Sequence, residues 1–163
     1  MEELSPLTRH ESLIKNQRVT SRMIDCVFCR IVKGELPCAK VYEDERVIGF
    51  LDINPVNPGH TLVLPKRHYG TLFEISLDDL HACATASKKI ATAVYKAVNA
   101  SGLNLFQNNY PSAGQLIDHI HFHIVPRFSR DKVLNLWPGK PCPQVELVEI
   151  CEKIRTELIN GDS

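Results

Sequence analysis

The chain has 163 residues, a length that fits one domain with a sizeable hydrophobic core. Its 19 basic and 19 acidic residues cancel, so the composition offers no broad basic surface for nucleic acid or an anionic membrane. No apolar run approaches the roughly 20 residues of a membrane span. Residues 1–22 are polar and lack the apolar centre of a signal peptide, so we expect an N-terminal tail or arm and a cytoplasmic protein.

The hydrophobic pattern predicts a succession of strands, with most of the helical sequence late in the chain. A short helix follows Asp25, a candidate N-cap, and ends at Gly34. A long helix begins at Ser76, whose capping-box partner is Asp79, and ends at Gly102. The predicted strands cover residues 39–43, 46–52, 60–68, 103–109 and 116–126, and a C-terminal amphipathic helix covers residues 144–160. This order favours an α+β fold with a mainly antiparallel five-stranded sheet in a single domain, residues 23–163.

Three of the seven histidines occupy alternate positions in the run HIHFHIV, residues 119–125. Period-two alternation is typical of a strand, so we expect Ile120, Phe122 and Ile124 to face the core and the histidines to line the opposite face. Two histidines two residues apart can share a metal ion, but three on a regular strand cannot easily do so. A division of labour among the histidines is the simplest interpretation. A polar strand face with incidental histidines is the alternative.

Cys26 and Cys29 form a Cys-x-x-Cys motif, in which two thiolates one helical turn apart can reach the same tetrahedral ion. Alone the motif is weak, because a redox pair or two reduced, uncommitted thiols have the same spacing. His68, at the end of the third predicted strand, and His119, at the start of the triple-histidine run, are candidate partners. Together the four residues would form a closed Cys2His2 structural zinc site that ties the N-terminal turn to the sheet.

The middle histidine, His121, is then suited to nucleophilic or acid–base catalysis, because a neutral imidazole is a competent nucleophile at physiological pH. The preceding segment NNYPSAGQ, residues 108–115, is rich in amides and glycine. Gly114 allows the backbone to approach a phosphate closely, and Asn108 and Gln115 supply side-chain donors. A plain surface turn and a polar strand end are the alternatives for this segment.

Two further residues have open interpretations. His60 follows the connection NPVNPG and begins a predicted strand, where it either supports the site or caps the loop. Trp137 is the only tryptophan, and it is either a packing residue or part of a nucleotide pocket or dimer interface.

The run HIHFHIV resembles the histidine triad motif, His-φ-His-φ-His-φ-φ with φ an apolar residue, which defines the histidine triad (HIT) superfamily of nucleotide hydrolases and transferases. The segment CVFCRIVKGELPCAKVYEDERVIGFLDINPVNPGHTLVLPKRH, residues 26–68, is similar to the N-terminal half of the zinc-bearing, HINT-like branch. The two segments together cover about residues 25–130, and their motifs are highly specific. The resemblance implies a compact α+β domain with an antiparallel sheet, a homodimer, a purine nucleotide substrate and no organic cofactor.

The resemblance also implies a role for each matched residue. His121 matches the nucleophile, which attacks the α-phosphorus and forms a nucleotidyl-histidine intermediate that water hydrolyses to release a nucleoside monophosphate. His123, Asn108 and Gln115 match residues that hold the phosphate, beside Gly114. The remaining matched positions are Asp52 for the ribose, Phe50 and Ile53 for the base, His60 for the supporting network, and Cys26, Cys29, His68 and His119 for a structural zinc ion.

One position departs from the family pattern. Leu116 follows the Gly-Gln pair, where many phosphoramidate-cleaving members have Ser or Thr, and an apolar side chain cannot donate a hydrogen bond to the leaving group. We therefore expect weaker phosphoramidase activity or a different leaving group.

The leading interpretation is a hydrolase of adenosine phosphoramidates or adenylated adducts. The alternative within the family is cleavage of dinucleoside polyphosphates, by hydrolysis or phosphorolysis. An alternative of a different class is a nucleotide-binding regulatory or partner-binding protein with vestigial catalysis. The zero net charge and the single Cys-x-x-Cys motif argue against a zinc-dependent nucleic-acid binder.

Overall fold

The computed structural model describes residues 26–133 and 143–161, and the chain divides into two units, Met1–Val133 and Leu134–Ser163. The helices are α1 (Val27–Val32), α2 (Leu77–Ala97) and, in the second unit, α3 (Gln144–Gly161). The strands are β1 (Lys40–Glu43), β2 (Val47–Leu51), β3 (Thr61–Pro65), β4 (Gly102–Gln107) and β5 (Phe122–Arg127), with a 3-10 turn at Pro111–Ala113. The predicted α+β class, five-stranded antiparallel sheet, long helix and C-terminal helix are confirmed.

Some sequence predictions fall outside the described residues. These are the N-terminal tail of residues 1–22, the N-cap at Asp25 and the placement of Trp137. The structure begins the first helix after Cys26, and Gly34 follows that helix with a φ of 75°, as expected for a glycine C-cap. The single domain from residue 23 to residue 163 stays a prediction.

The sheet has the order β1-β2-β3-β5-β4, with every neighbouring pair antiparallel. Cross-strand pairing therefore aligns one row of side chains across four strands. Phe50 pairs with Leu62, Leu62 with His123, and His123 with Phe106. Residues directly opposite each other in antiparallel strands project to the same face, so His123 lies in the middle of an otherwise apolar row.

The two faces of the sheet form separate parts of the core. On one face, Val63 and Ile124 pack with Cys83 and Ile90 of α2. A Cβ atom on Gly49 would lie 2.7 Å from the Cδ1 atom of Ile90, so a larger residue at this position would require the end of the Ile90 side chain to move. The opposite face, which carries the Phe50–His123 row, is covered by α1, and its buried residues are Cys26, Phe28, Cys29, Ile48, Phe50, Leu62 and Leu64.

The triple-histidine run is not one regular strand, which corrects the sequence prediction. β5 begins at Phe122, so His119 and His121 lie in the irregular segment before it. The backbone turns there, because the N–H of Ile120 donates to the carbonyl of Tyr69 at 2.7 Å instead of joining the ladder. Ile120 and Ile124 are nevertheless fully buried, as the alternation predicts.

The ends of two elements also differ from the prediction. α2 begins after Ser76, whose Oγ accepts from the N–H of Asp79 as predicted, but it ends at Ala97 and not at Gly102. Asn99 follows the helix with a φ of 51°, the left-handed conformation that asparagine tolerates. β5 runs past Pro126, whose carbonyl accepts a hydrogen bond from the side chain of Asn57.

Candidate active site and metal centre

Two cysteines and two histidines from three segments converge at one point. Cys26 and Cys29 lie at the start of α1, His68 follows β3, and His119 precedes β5. Their four ligand atoms all lie within 4.8 Å of one another. The Nδ1 atom of His119 is 3.5 Å from Sγ of Cys26 and 3.6 Å from Sγ of Cys29, and the Nδ1 atom of His68 is 3.3 Å from Sγ of Cys29.

These distances fit a tetrahedral metal ion. Zinc–sulfur and zinc–nitrogen bonds of about 2.3 and 2.1 Å place neighbouring S and N ligands about 3.6 Å apart. The Nε2–H of His119 donates to the carbonyl of Pro65 at 2.9 Å, so its Nδ1 carries the lone pair that faces the two sulfurs. Such a hydrogen bond on the second ring nitrogen is the usual way in which proteins orient a histidine ligand. The cluster is therefore able to hold a metal ion.

Each of the two thiols of this cluster disfavours the ionisation of the other. Burial raises the pKa of Cys26, but the neighbouring rings of His119 and His68 outweigh burial and lower the pKa to about 5. Burial and the neighbouring charge of Cys26 raise the pKa of Cys29 to about 12. Two adjacent thiolates repel each other, and a divalent cation between them would stabilise both.

The protonation of His121 follows from its one hydrogen bond. Its Nδ1 lies 2.7 Å from the carbonyl oxygen of His119, and because a carbonyl only accepts, Nδ1 carries the proton. The Nε2 atom of the neutral ring then carries a lone pair. The ring is buried, packs edge-on against Phe28 with centroids 5.1 Å apart, and burial lowers the pKa of His121. His121 thus presents an unprotonated, nucleophilic nitrogen.

His123 has the opposite tautomer, and a chain of three residues fixes it. The backbone N–H of Val56 donates to Nδ1 of His60 at 3.2 Å, so the neutral His60 ring carries its proton on Nε2. That Nε2–H donates to Nδ1 of His123 at 3.0 Å. The proton of His123 is therefore on Nε2, where it can donate to a ligand. The ring centroids of His121 and His123 are 4.7 Å apart, so a lone pair and an N–H donor lie side by side.

The histidines of this site are held neutral. Burial, with the neighbouring His121 and His60, lowers the pKa of His123 to about 4, and its ring stacks on Phe106 at 4.8 Å. Burial also lowers the pKa of His60, although Asp52 opposes the effect. The Oδ2 atom of Asp52 is 3.5 Å from Nδ1 of His60, but that nitrogen already accepts from a backbone N–H, so the pair is not an ion pair.

The predicted phosphate residues Asn108, Gly114 and Gln115 are brought together in the loop that follows β4, but the Asn108 and Gln115 side chains differ in their hydrogen bonds. Gly114 has a φ of 85°, and Asn108 Nδ2 lies 3.7 Å from where a Cβ on Gly114 would be. Among residues 26–133, the Asn108 side chain has no hydrogen-bond partner. The Gln115 amide, in contrast, is fully used: it accepts from the N–H of Tyr110 and donates to two backbone carbonyls, those of Gly70 and Ile117. Gln115 therefore braces the loop.

The residues predicted to surround the nucleoside are spread over β2 and the following turn. Phe50 is buried against Phe28, with ring centroids 5.7 Å apart, and Phe28 in turn contacts His121. Asp52 is half-buried, and its Oδ1 accepts from the N–H of Asn54 at 2.8 Å. Ile53 is 91% exposed. The structure thus places Asp52 beside His60 and leaves Ile53 at the surface.

Sequence reasoning missed the aromatic neighbours of the histidines. Phe28 lies between the two cysteines of the Cys-x-x-Cys motif and contacts both His119 and His121. Phe106 reaches His123 only through the register of β4 and β5. The apolar middle of CVFC was a signal for the first residue, whereas no local pattern marked the second.

Comparison with known proteins agrees with this geometry. The HIT domain family matches residues 33–130, which is more than half of the chain. The chain belongs to the histidine triad family. Its HINT-like character is supported by adenosine 5′-monophosphoramidase hnt1 of Schizosaccharomyces pombe, 36% identical over 136 residues, which are 83% of this chain and 99% of the relative.

Two other HIT proteins are informative. Adenylylsulfatase HINT3 of Arabidopsis thaliana is 46% identical over 107 residues, which are 66% of this chain and 54% of the relative. A zinc-bound histidine triad family protein from Mycobacterium smegmatis has a crystal structure that superposes with a TM-score of 0.65 at 39% identity, over 72% of this chain and 86% of that chain. This HIT chain is thus similar to hydrolases that differ in their named substrates. In the described residues, none of its helices has the length and apolar character needed to cross a membrane.

Proposed function

We propose that this HIT protein hydrolyses adenylated substrates at the α-phosphorus through a covalent intermediate on His121, and releases a nucleoside monophosphate. One observation carries the proposal. His121 and His123 are neighbouring neutral rings with opposite tautomers, so one nitrogen can attack phosphorus while the adjacent N–H holds a phosphate oxygen. The names of the similar hydrolases support a substrate with an adenosine moiety.

In the first step, the lone pair on Nε2 of His121 forms a bond to the α-phosphorus. The bond from phosphorus to the leaving group breaks with its electron pair, and an amine leaving group takes up a proton from solvent water. The Nε2–H of His123 and the side-chain amide of Asn108 donate to the phosphate oxygens. The Nδ1–H of His121 keeps its hydrogen bond to the His119 carbonyl, which stabilises the positive ring that forms.

In the second step, a water oxygen bonds to phosphorus as the bond to His121 breaks. The electron pair returns to Nε2, the attacking water gives up one proton to the solvent, and the nucleoside monophosphate leaves. Summed over both steps, a phosphoramidate and water yield the nucleoside monophosphate and an amine. Covalent catalysis of this kind divides one difficult displacement into two easier ones.

The nucleoside is expected on the β2 side of the histidines. Asp52 lies next to His60 and presents carboxylate oxygens that suit the hydroxyl groups of a ribose. Phe50 and Ile53 supply the apolar surface for the base. This placement follows the family resemblance, and the half-buried position of Asp52 at the end of β2 supports it.

The metal centre would be structural. Cys26, Cys29, His68 and His119 would hold a zinc ion, and all four positions of a tetrahedral ion would then be filled by protein atoms. A bound ion would supply a crosslink between α1 and the sheet and no reacting group. His119 also accepts the hydrogen bond from His121, so the ligand that fixes the metal positions the nucleophile.

A homodimer is the expected assembly. β4 is an edge strand of the sheet, and its Leu105 is exposed although it lies opposite the buried Ile124. An unpaired edge strand with an exposed apolar residue is a natural site for pairing with a second copy. Sedimentation velocity tests this expectation directly.

A second substrate class is favoured by one residue. Leu116 is 92% exposed and has no group that could donate a proton to a leaving amine. Sulfate, carboxylate and phosphate leave as stable anions and need no such proton. Adenylyl sulfate and other mixed anhydrides of AMP are therefore candidate substrates, consistent with the adenylylsulfatase named above.

AMP release from adenosine 5′-phosphoramidate and from adenylyl sulfate tests the proposed function. We expect His121→Ala to abolish release from both, while AMP binding measured by calorimetry shows that the variant remains folded. His81→Ala, which removes an exposed histidine on α2, is the matched control and should retain full activity. Release that survives in His121→Ala, or no release from a wild-type protein that binds AMP, would contradict the proposal.

A further inference from the structure

Tyr110 has a backbone conformation that proteins reserve almost entirely for glycine. Its φ of 69° and ψ of 159° lie in a region where a Cβ atom collides with the neighbouring backbone. Other residues persist in such conformations only where surrounding contacts impose them, and those places are concentrated at active sites and ligand-binding sites. An aromatic side chain held in this conformation therefore marks Tyr110 as a candidate ligand-binding residue.

Three hydrogen bonds impose the conformation of Tyr110. Its N–H donates to Oε1 of Gln115 at 2.7 Å, and its carbonyl accepts from the N–H groups of Ala113 at 3.0 Å and of Gln115 at 3.1 Å. Gln115 is itself buried and anchored on the carbonyl of Gly70 at 2.7 Å. The strain at Tyr110 is thus built into the loop of residues 108–115.

The imposed conformation places the ring of Tyr110 against that of Phe73. The ring centroids are 6.0 Å apart and the planes are inclined by only 18°. The two residues are exposed by 52% and 74%, respectively, although both are large and apolar. A hydrogen bond of 2.8 Å from the N–H of Leu72 to Oδ1 of Asn109 ties their two segments together. We call Tyr110 and Phe73 the aromatic platform.

The aromatic platform lies beyond the nucleophile, at the start of β5. Gln107, the last residue of β4, pairs with Phe122, the first residue of β5. On leaving this pair, one chain continues through Asn108 to Tyr110, three residues on, while the other chain enters the pair from His121.

The nucleoside side lies toward the other end of β5. Thr61, at the start of β3, pairs with Ile124 of β5 and with Leu51 of β2, which immediately precedes Asp52. Asp52 and the aromatic platform are therefore on opposite sides of the two reacting histidines. A substrate with its ribose at Asp52 and its phosphorus at His121 has its leaving group nearest the platform.

We propose that the aromatic platform is a subsite for a planar aromatic group in the leaving-group half of the substrate. The proposal rests on the proposed function, because it takes the nucleoside and the phosphorus to bind as described above. Neither platform residue carries a charge, so the subsite suits a neutral aromatic ring and not an anion, and ring stacking supplies the preference. Leu116, in the segment that follows the loop, adds exposed apolar surface.

Two matched substrates test the subsite. The adenosine 5′-phosphoramidates of 2-phenylethylamine and 2-cyclohexylethylamine have the same P–N bond and the same linker, and they differ in whether the ring is planar and aromatic. We expect kcat/KM to favour the phenyl compound about fivefold in the wild type, from the typical strength of aromatic stacking. Tyr110→Leu and Phe73→Leu should reduce the ratio to about one, whereas Tyr110→Phe should keep it.

A pair of variants separates the ring from the backbone strain. Tyr110→Ala and Tyr110→Gly both lose the ring, but only glycine relieves the strain. We expect the melting temperature of the glycine variant to exceed that of the alanine variant by about 4 °C. Both variants should have a substrate ratio of about one.

The possible outcomes separate the two proposals. A wild-type ratio of one, with both compounds cleaved in a His121-dependent manner, would overturn the subsite and leave the proposed function intact. No cleavage of either compound would overturn the subsite, and the proposed function would fall with it only if adenylyl sulfate were not cleaved either. If Phe73→Leu or Tyr110→Leu dissociated an oligomer in sedimentation velocity, the aromatic platform would be an interface between copies of this chain, which would also overturn the subsite.

Discussion

The carbonyl of His119 accepts a hydrogen bond from Nδ1 of His121 at 2.7 Å. The same residue directs its Nδ1 at two cysteine sulfurs and donates from its Nε2 to the carbonyl of Pro65. One histidine therefore joins the candidate metal centre to the candidate nucleophile and fixes the tautomer of the latter. The first and second histidines of the triad therefore have different hydrogen-bond partners, and the first determines which nitrogen of the second is protonated.

The metal centre makes a prediction about stability. Cys29→Ser removes one of four ligands, and because metal binding contributes directly to folding free energy, we expect the variant to lose zinc and to melt about 10 °C lower. Thermal denaturation and elemental analysis measure both effects. Cys151→Ser, at an exposed position of α3, is the matched control and should change neither. A wild-type protein that contains no zinc, and a variant with unchanged melting, would contradict the structural metal.

The tautomers of the two reacting histidines can be observed directly. Nitrogen-15 NMR of the imidazole rings should show His121 protonated at Nδ1 and His123 protonated at Nε2 at neutral pH. His60→Ala removes the donor to His123, so both tautomers of His123 should become populated and kcat should fall about tenfold or more. The reverse assignment for either ring in the wild type would contradict the proposed division of roles.

The neutral state of His123 predicts a dependence of stability on pH. Its pKa is about 4 in the folded protein, because burial and the neighbouring His121 and His60 disfavour the charge, and about 6.5 in the unfolded chain. Between these values the unfolded state binds more protons, so the free energy of unfolding increases with pH. The stability associated with the neutral His123 ring is fully present above pH 6.5 and is lost as the pH falls toward 4.

This dependence is measured by comparing the wild type with His123→Asn, which cannot titrate. From neutral pH to about pH 5, the wild type should lose about 1 to 2 kcal/mol more stability than the variant. Both proteins keep the same metal ligands, so any effect of acid on the metal centre cancels in the difference. If the free energy of unfolding of the wild type and of His123→Asn changed equally with pH, the fold would not hold His123 neutral.

The apolar side chain at Leu116 leads to a prediction about how the rate of hydrolysis depends on the leaving group. Leu116→Ser introduces a hydroxyl that can donate to a leaving amine, so kcat/KM for adenosine 5′-phosphoramidate should rise about tenfold. The rate with adenylyl sulfate, whose leaving group needs no proton, should change little. Leu116→Ala is the control for the loss of the apolar side chain and should raise neither rate. If Leu116→Ser and Leu116→Ala changed the rates with both substrates equally, position 116 would have no role in protonating the leaving group.

The sequence predicted the metal centre more fully than it predicted the phosphate loop. Cys26 and Cys29 are distant in the chain from His68 and His119, and the structure brings the four predicted ligand atoms within 4.8 Å of one another. Gln115 was predicted to bind phosphate, and this stays a prediction, because its amide already bonds three backbone groups. Residue type indicates which hydrogen bonds a side chain can make, but not where its partners are.

Backbone features were the hardest to predict from the sequence. The alternation in HIHFHIV predicted which apolar residues are buried, but not that the strand begins only at Phe122, because the turn depends on a hydrogen bond to Tyr69 across the fold. The glycine-like conformation of Tyr110 had no local signal, since tyrosine in a loop reads as an ordinary surface residue. Such conformations are imposed by tertiary contacts.

The stereochemistry at phosphorus tests the covalent mechanism most directly. A single diastereomer of an adenosine 5′-phosphorothioamidate is hydrolysed in water enriched in heavy oxygen, and the configuration of the product is determined. Two successive in-line displacements, first by His121 and then by water, each invert the configuration at phosphorus, so we predict net retention of configuration. Net inversion would mean that water attacks phosphorus directly, and it would contradict the nucleotidyl-histidine intermediate.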